Sequence, residues 1–200
     1  MTESKRESTM SSAELLASTA QDGEPRSAAT DLDDAMAEEE LAEKREQEPL
    51  SKELESVGVH IETAWELVNT DANYSNALPI LLRHLDRPYS DATLEGIARA
   101  MAVPASEQYW TDLREKFLSD RAAAMPRYKE GLAVALSSAT GPQHTKELIC
   151  MLLDEQNGPA RFYLLLAVKR LKSAIPAEAM SSVMADKAMK RAFLSISKMR

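Results

Sequence analysis

A seven-residue segment recurs along this chain at a fixed interval. Residues 95–101 begin with Glu-Gly-Ile-Ala, and residues 130–136, which begin with Glu-Gly-Leu-Ala, follow 35 residues later. The same interval leads to a third apolar segment at 164–171. Repeats of this length, each holding two helical patterns, are typical of stacked helical hairpins. The recurrence predicts an all-α chain, with Leu132 at the inner seam of the middle repeat.

A second set of segments recurs in step with the first, at 77–85, 110–118 and 145–153. Within each of them the apolar residues fall at intervals of three and four, which predicts an amphipathic helix with one buried stripe. Proline and glycine break the pattern between the helices. These breakers are Pro88, Pro104, the pair Gly141-Pro142 and the pair Gly158-Pro159. The chain is therefore predicted to form about three helical hairpins.

The segment 77–85, the repeated segment and the turn 154–161 together resemble small bacterial HEAT-repeat proteins. The similarity covers roughly residues 60–173. It implies a right-handed α-solenoid of about three HEAT-like hairpins, with an N-terminal capping helix and a C-terminal helix. In the family pattern an aspartate in the turn and a basic residue in the second helix form a ladder, and Asp154 and Arg161 match those places. The resemblance implies binding of a partner and specifies no activity.

The charge is distributed unevenly along the sequence. Residues 1–50 carry a net charge of −9 and contain no aromatic residue, whereas residues 51–200 carry +1. The first segment is therefore predicted to be a disordered acidic tail. Residues 51–175 are predicted to form the HEAT-like repeat domain, and residues 176–200 a single helix that either caps the stack or docks a partner. The basic stretch 169–200, with net charge +6, leaves both roles open.

The predicted function is non-enzymatic protein binding by a scaffold of helical repeats. Its partner is another protein, whose identity the sequence leaves open together with the oligomeric state. A near-neutral domain with an acidic tail is a poor electrostatic match for nucleic acid. The candidate contact residues are all basic: Arg99, Arg127 and Lys129 at the rim of the concave surface, and Lys187, Lys190 and Arg191 in the C-terminal helix.

The motifs of common catalytic and metal sites are absent from the sequence. His60, His84 and His144 are widely spaced, and neither a phosphate-binding loop nor a nucleophile elbow occurs. No catalytic residue, cofactor or metal is predicted, and the chain is not predicted to be an enzyme. The alternative is a HEAT-like enzyme or nucleic-acid-binding protein, of the lyase or DNA glycosylase type. A glycosylase needs an aromatic ring and a carboxylate in a basic groove, and Trp110, Asp112 and the basic residue Arg114 supply these groups in one short stretch.

Cys150 is the single cysteine, so no disulfide can form within the chain. Its neighbours are Leu148, Ile149, Met151 and Leu152, which predicts a small buried apolar residue. The first residues lack the apolar core of a secretion signal, and no stretch reaches membrane-spanning length. These features together predict a cytoplasmic protein without membrane contact.

Overall fold

The computed structural model describes residues 28–198, and side chains from residue 36 onward. This part of the chain is all-α and contains no β-strand. Its α-helices, in chain order, are α1 (Ala28–Glu55), α2 (Ala64–Val68), α3 (Leu78–His84), α4 (Asp91–Ala100), α5 (Trp110–Phe117), α6 (Asp120–Ala124), α7 (Pro126–Ala139), α8 (Thr145–Leu153), α9 (Leu165–Arg170), α10 (Ala177–Ala185) and α11 (Lys187–Lys198). Short 3₁₀ segments cover Ser75–Ala77, Pro104–Tyr109, Pro142–His144, Glu155–Leu164 and Lys172–Ala174.

The helices form where the repeat pattern predicts them. The first helices of the three pairs are α3, α5 and α8, and the second helices of the first two pairs are α4 and α7. In the third pair the second element begins as the 3₁₀ segment Glu155–Leu164 and becomes α-helical only at α9. Gly158 interrupts that segment with φ of 58°, a left-handed conformation that glycine adopts at low cost. The predicted segment 164–171 is therefore helical mainly at α9, and the 3₁₀ segment before it is irregular.

Side chains near the turns fix where the second helices begin. The Ser90 hydroxyl accepts a hydrogen bond from the Thr93 backbone N–H at 3.2 Å and caps α4. The Asp91 carboxylate accepts hydrogen bonds from the backbone N–H groups of Arg127 and Tyr128, at 3.2 and 2.7 Å. A residue of α4 thus caps α7, which ties the first repeat to the second.

Packing follows the order of the repeat. The second elements α2, α4, α7 and Glu155–Leu164 contact one another in sequence, and α3, α5 and α8 each pack on the second element of their own pair. The apolar side chains of these elements form one buried cluster, and Leu132 lies fully buried within it. Leu132 is therefore buried, as its predicted place at the inner seam requires.

The two glycines of the repeated segment allow close approach of neighbouring elements. A Cβ atom at Gly131 would lie 2.8 Å from the backbone oxygen of Glu95, so α4 and α7 meet backbone to backbone at this point. A Cβ atom at Gly96 would lie 3.1 Å from the Trp65 indole nitrogen, so α2 packs against α4 there. Both glycines thus face the preceding element, Gly131 its backbone and Gly96 the side chain of Trp65.

By its contacts the chain divides into two units, Met1–Leu41 and Ala42–Arg200. In the first unit the described residues belong to the start of α1. The disorder predicted for residues 1–50 differs from this structure over residues 28–50, which are helical. The predicted disorder of residues 1–27 lies outside the described part of the chain.

Within the second unit, residues of α1 before the predicted tail boundary at residue 50 make specific contacts with the rest of the fold. The Glu46 carboxylate accepts hydrogen bonds from the Ser90 N–H and hydroxyl, at 2.6 and 2.7 Å, and from the Thr93 hydroxyl. The Gln47 side-chain oxygen accepts from the Ala64 N–H at 2.8 Å, and Leu50 is fully buried. These contacts provide the apolar burial and hydrogen bonds that offset the entropy of ordering.

The C-terminal segment contains two helices in place of the single one predicted over 176–200. Asp186 separates them, because its carboxylate accepts hydrogen bonds from the N–H groups of Ala188 and Met189, at 2.8 and 3.0 Å, and so starts α11. Helix α11 packs on α9, and α10 contacts α8. Val183 and Phe193 are buried there.

Asp154 and Arg161, the two residues that match the HEAT ladder pattern, have separate partners in the structure. The Asp154 carboxylate accepts a hydrogen bond from the Gln156 N–H at 2.9 Å. The Arg161 guanidinium instead lies 3.9 Å from the Asp186 carboxylate and donates to the Leu152 carbonyl at 3.4 Å. Arg161 therefore connects the third repeat to the C-terminal helices.

Candidate functional site

An open groove lies between α5 and α8, the first helices of two consecutive pairs. It encloses about 330 Å³. We call it the α5–α8 groove. Its lining comes from α5 and the residue after it, from α8, and from the turn that follows α8: Arg114, Leu118, Lys146, Glu147, Cys150, Met151, Asp154 and Asn157.

A stacked aromatic pair stands beside the groove. The rings of Trp110 and His144 have centroids 3.9 Å apart and planes inclined by 3°. The Trp110 indole N–H donates to the Thr140 hydroxyl at 3.1 Å, and the Arg114 guanidinium lies 5.9 Å from the Trp110 ring centroid. The stack links α5 to the start of α8. It also fixes the helix on which Arg114 and Leu118 follow at intervals of four residues.

The apolar part of the groove contains an exposed leucine. Leu118 is 46% exposed, and Met151 is buried beneath the groove surface. Cys150 is exposed, so its predicted burial is wrong. Helix geometry explains the error: Leu148 and Leu152 lie four residues apart on the inward face of α8, and the position midway between them points outward.

Charged residues of both signs surround this apolar centre. Arg114 and Lys146 are basic, whereas Glu147 and Asp154 are acidic. An apolar centre inside a polar, mixed-charge rim is the usual composition of a protein–protein contact surface. The groove contains none of the six basic residues predicted as contacts. In the sequence Leu118 and Cys150 are simply apolar residues of helical segments, and nothing in the pattern marked them as contact residues.

Arg99 and Arg127, two of the predicted contacts, come together on one carboxylate. Their guanidinium Nε atoms lie 2.8 and 2.9 Å from the two oxygens of Glu95, which is itself buried. The Arg99 guanidinium also lies 5.6 Å from the centroid of the Tyr163 ring. The Tyr163 hydroxyl donates to Glu130 at 3.3 Å. This network joins the second elements of the repeats, and it engages both arginines within the chain.

The other four predicted contacts divide between buried and exposed. Lys129 is only 9% exposed, which contradicts its predicted place at a rim. Lys187, Lys190 and Arg191 are exposed on α11. Their spacing of three and four residues places them on one face of that helix.

A second polar cluster joins α1 to the end of α3. The His84 ring is fully buried, with Nε2 at 2.7 Å from the Glu53 carboxylate and Nδ1 at 2.8 Å from the Tyr89 hydroxyl. With the proton on Nε2, the imidazole donates to Glu53 and accepts from Tyr89. Arg83 also pairs with Glu53. Burial keeps the imidazole away from any substrate, so this cluster holds the fold together.

The buried histidine makes stability depend on pH. Burial lowers the pKa of His84 although the hydrogen bond to Glu53 opposes the shift, and hydrogen bonds from His84 and Arg83 lower the pKa of Glu53. The unfolded imidazole therefore takes up a proton below about pH 6.5 that the folded one refuses, and stability falls on acidification. Thermal unfolding should show a lower Tm at about pH 5.5 than at about pH 7.5.

Two variants separate this effect from general acid sensitivity. His84→Gln should flatten the pH dependence between those two values, because it removes the titrating ring. His60→Gln changes an exposed histidine and should keep the wild-type slope. A wild-type Tm that is equal or higher at the lower pH would contradict the assignment.

The arrangement around Trp110 does not match the needs of a glycosylase. The Trp110 ring is only 4% exposed and is covered by His144, so it is not open to stack on a flipped base. Asp112 is exposed on the outer side of α5. The stretch with Trp110, Asp112 and Arg114 supplies a structural stack and one residue of the groove lining.

Among residues 28–198 no three or more histidine, cysteine, aspartate or glutamate side chains are grouped so that they could hold a metal ion. None of the helices described there is both long and apolar enough to cross a lipid bilayer. No protein-family model, curated protein or solved structure matches the chain.

Proposed function

We propose that this chain is a non-enzymatic protein-binding module of the HEAT-like α-solenoid type, and that the α5–α8 groove holds its protein partner. The observation that carries the proposal is Leu118, a large apolar side chain exposed at 46% inside a groove of about 330 Å³. Exposed apolar side chains in a concave site ringed by charges mark places where partner side chains dock.

The repeat architecture supports the same function. Successive second elements pack tightly, as at Gly131, and the first helices α5 and α8 leave an open groove between them. Helical-repeat stacks present such grooves on a scaffold whose neighbouring repeats support one another. The mixed charge of the rim favours a protein over a nucleic acid, because phosphates require a predominantly basic surface.

A cytoplasmic location forms part of the proposal. Cys150 is exposed, and no second cysteine exists in the chain to pair with it. A single exposed thiol is best suited to a reducing compartment, where it stays unoxidised.

Substitution of Leu118 tests the proposal. Full-length chain immobilised as bait should recover a discrete protein from a lysate of the source organism. Leu118→Glu should reduce that recovery by about tenfold or more, because a buried anchor residue is replaced by a charge. Quantitative mass spectrometry of the bound fraction measures the change.

Leu166→Glu is the matched control for this experiment. Leu166 is 43% exposed on α9 and is not part of the groove lining. This variant should recover the same protein at the wild-type level. If the two variants behave alike, the α5–α8 groove is not the binding site.

A further inference from the structure

A second pocket lies between α6, the first turn of α7 and the turn after α8. It encloses about 160 Å³ and touches the α5–α8 groove only through Asn157, which lines both. Small side chains form most of its wall, and a few polar ones complete it: Ala122, Ala123, Pro126, Lys129, Glu130, Gln156, Asn157, Gly158, Pro159 and Ala160.

Lys129 is the residue that distinguishes this pocket. The side chain is more than nine-tenths buried, and its ammonium lies 5.0 Å from the centroid of the Phe117 ring. Within residues 28–198 it makes neither a hydrogen bond nor an ion pair, and the Asp154 carboxylate acts on it only through a longer-range charge interaction. Burial accordingly lowers the pKa of Lys129.

The aliphatic stem of Lys129 is buried, whereas its ammonium faces the pocket, since among the described residues only the Ser106 hydroxyl oxygen is a buried side-chain polar atom without a hydrogen-bond partner. The ring of Phe117 stabilises the ammonium charge only in part. An acceptor that enters the pocket from outside would complete the three N–H donors of the ammonium. An anionic oxygen is the group that best matches these donors.

The remaining charges of the pocket select the kind of anion. Lys129 is the one basic residue in the lining, and Glu130 contributes a carboxylate to the same wall. Asp154 adds a second negative charge nearby. These carboxylates repel a dianion such as phosphate more strongly than a monoanion, so a monoanion is the better ligand for the single ammonium. The small side chains of the pocket wall leave room for a short apolar stem that carries the anionic group of the ligand.

We propose that this pocket binds a carboxylate group, with Lys129 as its anchor. The carboxylate belongs either to a free small acid or to an acidic side chain of a protein partner, and both sources present the same chemistry to Lys129. This site is separate from the α5–α8 groove, so neither proposal requires the other.

Titration of the full-length chain with acetate tests the proposal, with backbone amide chemical shifts as the measurement. The amides of residues 156–160 should shift saturably. Lys129→Met keeps the apolar stem beside Phe117 and should weaken acetate binding by about tenfold or more, because a hydrogen bond to a charged group is lost. Lys129→Gln is a second, shorter neutral variant. Lys172→Met changes an exposed lysine outside the pocket and should leave the titration unchanged.

Two further ligands define the chemistry and its source. Inorganic phosphate should bind more weakly than acetate. A capped alanine peptide with one aspartate that binds about tenfold more tightly than acetate would assign the carboxylate to a partner side chain, and weaker peptide binding would assign it to a free acid. The proposal fails if neither acetate nor the peptide gives saturable shifts, if the shifts persist in both Lys129 variants, or if phosphate binds more tightly than acetate.

Thermal unfolding distinguishes this role from a purely structural one. Lys129→Met removes a charge that makes neither a hydrogen bond nor an ion pair in the described fold and keeps the apolar stem, so its Tm should equal or exceed that of the wild type. A large drop in Tm for both Lys129→Met and Lys129→Gln would show that the ammonium stabilises the fold, and would overturn its assignment as a ligand anchor.

Discussion

Leu132→Ala is expected to lower the free energy of unfolding by about 2–5 kcal/mol. Leu132 is fully buried on α7, the helix that contacts α4, α5 and the Glu155–Leu164 segment. Truncation to alanine removes the transfer free energy of the side chain and leaves a cavity that helices packed on several sides cannot close completely. Urea unfolding followed by circular dichroism measures the change.

Leu166→Ala provides the matched control, since Leu166 lies on α9 and is 43% exposed. Its cost should stay within about 0.5 kcal/mol, as for most surface substitutions. A cost for Leu132→Ala below about 0.5 kcal/mol would mean that the face of α7 carrying Leu132 does not lie in the core.

Truncation within α1 is expected to have the second large effect. Among the side chains described, from residue 36 to residue 198, those of the apolar core all lie after residue 49, so a chain of residues 42–200 should keep a Tm close to that of the full chain. A chain of residues 51–200 lacks Glu46, Gln47 and Leu50, and should lose on the order of 10 °C in Tm. The loss combines one buried leucine with the hydrogen bonds to Ser90, Thr93 and Ala64.

Point substitutions in the full chain test the contribution of the same part of α1 without removing a segment. Leu50→Ala in the full chain should destabilise by about 2–5 kcal/mol, because Leu50 is fully buried. Leu41→Ala should be nearly neutral, because Leu41 is about half exposed. If the chains 42–200 and 51–200 melt at the same temperature, residues 42–50 of α1 do not stabilise the fold.

The repeated segment predicted much of the helical fold, because its signal is local. The intervals of three and four residues in 130–136 depend only on helix geometry, and the same intervals place Leu132 inward. Helix α7 (Pro126–Ala139) contains the whole of the repeated segment 130–136. The coarse fold class follows from such local patterns alone.

The role of α1 was not predictable from composition, because its partners are distant in sequence. Glu46 bonds to Ser90 and Thr93, which lie 44 and 47 residues further along the chain. The acidic residues of this segment indicated disorder, but the net charge of residues 1–50 averages over side chains that have partners and side chains that do not. Only the tertiary contacts separate the two.

The candidate sites were predicted less well than the helices, because exposure depends on helix phase and on neighbouring elements. Lys129 carries a charge that favours the surface, yet its position on α7 turns it toward Phe117. Cys150 has four apolar neighbours in the sequence, yet helix phase turns it outward into the groove. For both residues, the side of the helix on which the side chain lies decides whether it is buried or exposed, and the sequence pattern did not identify that side correctly.

The most direct test of the proposed binding site uses Cys150 as a reporter, since it is the single cysteine and lies in the α5–α8 groove. The measurement is the rate of Cys150 alkylation in the full-length chain, with and without the protein recovered by the bait. At a partner concentration about ten times Kd, occupation of the groove should slow alkylation by about tenfold. A chain carrying C150S and L166C should show no slowing at residue 166. Unchanged alkylation of Cys150 at saturation would contradict the groove as the partner's binding site.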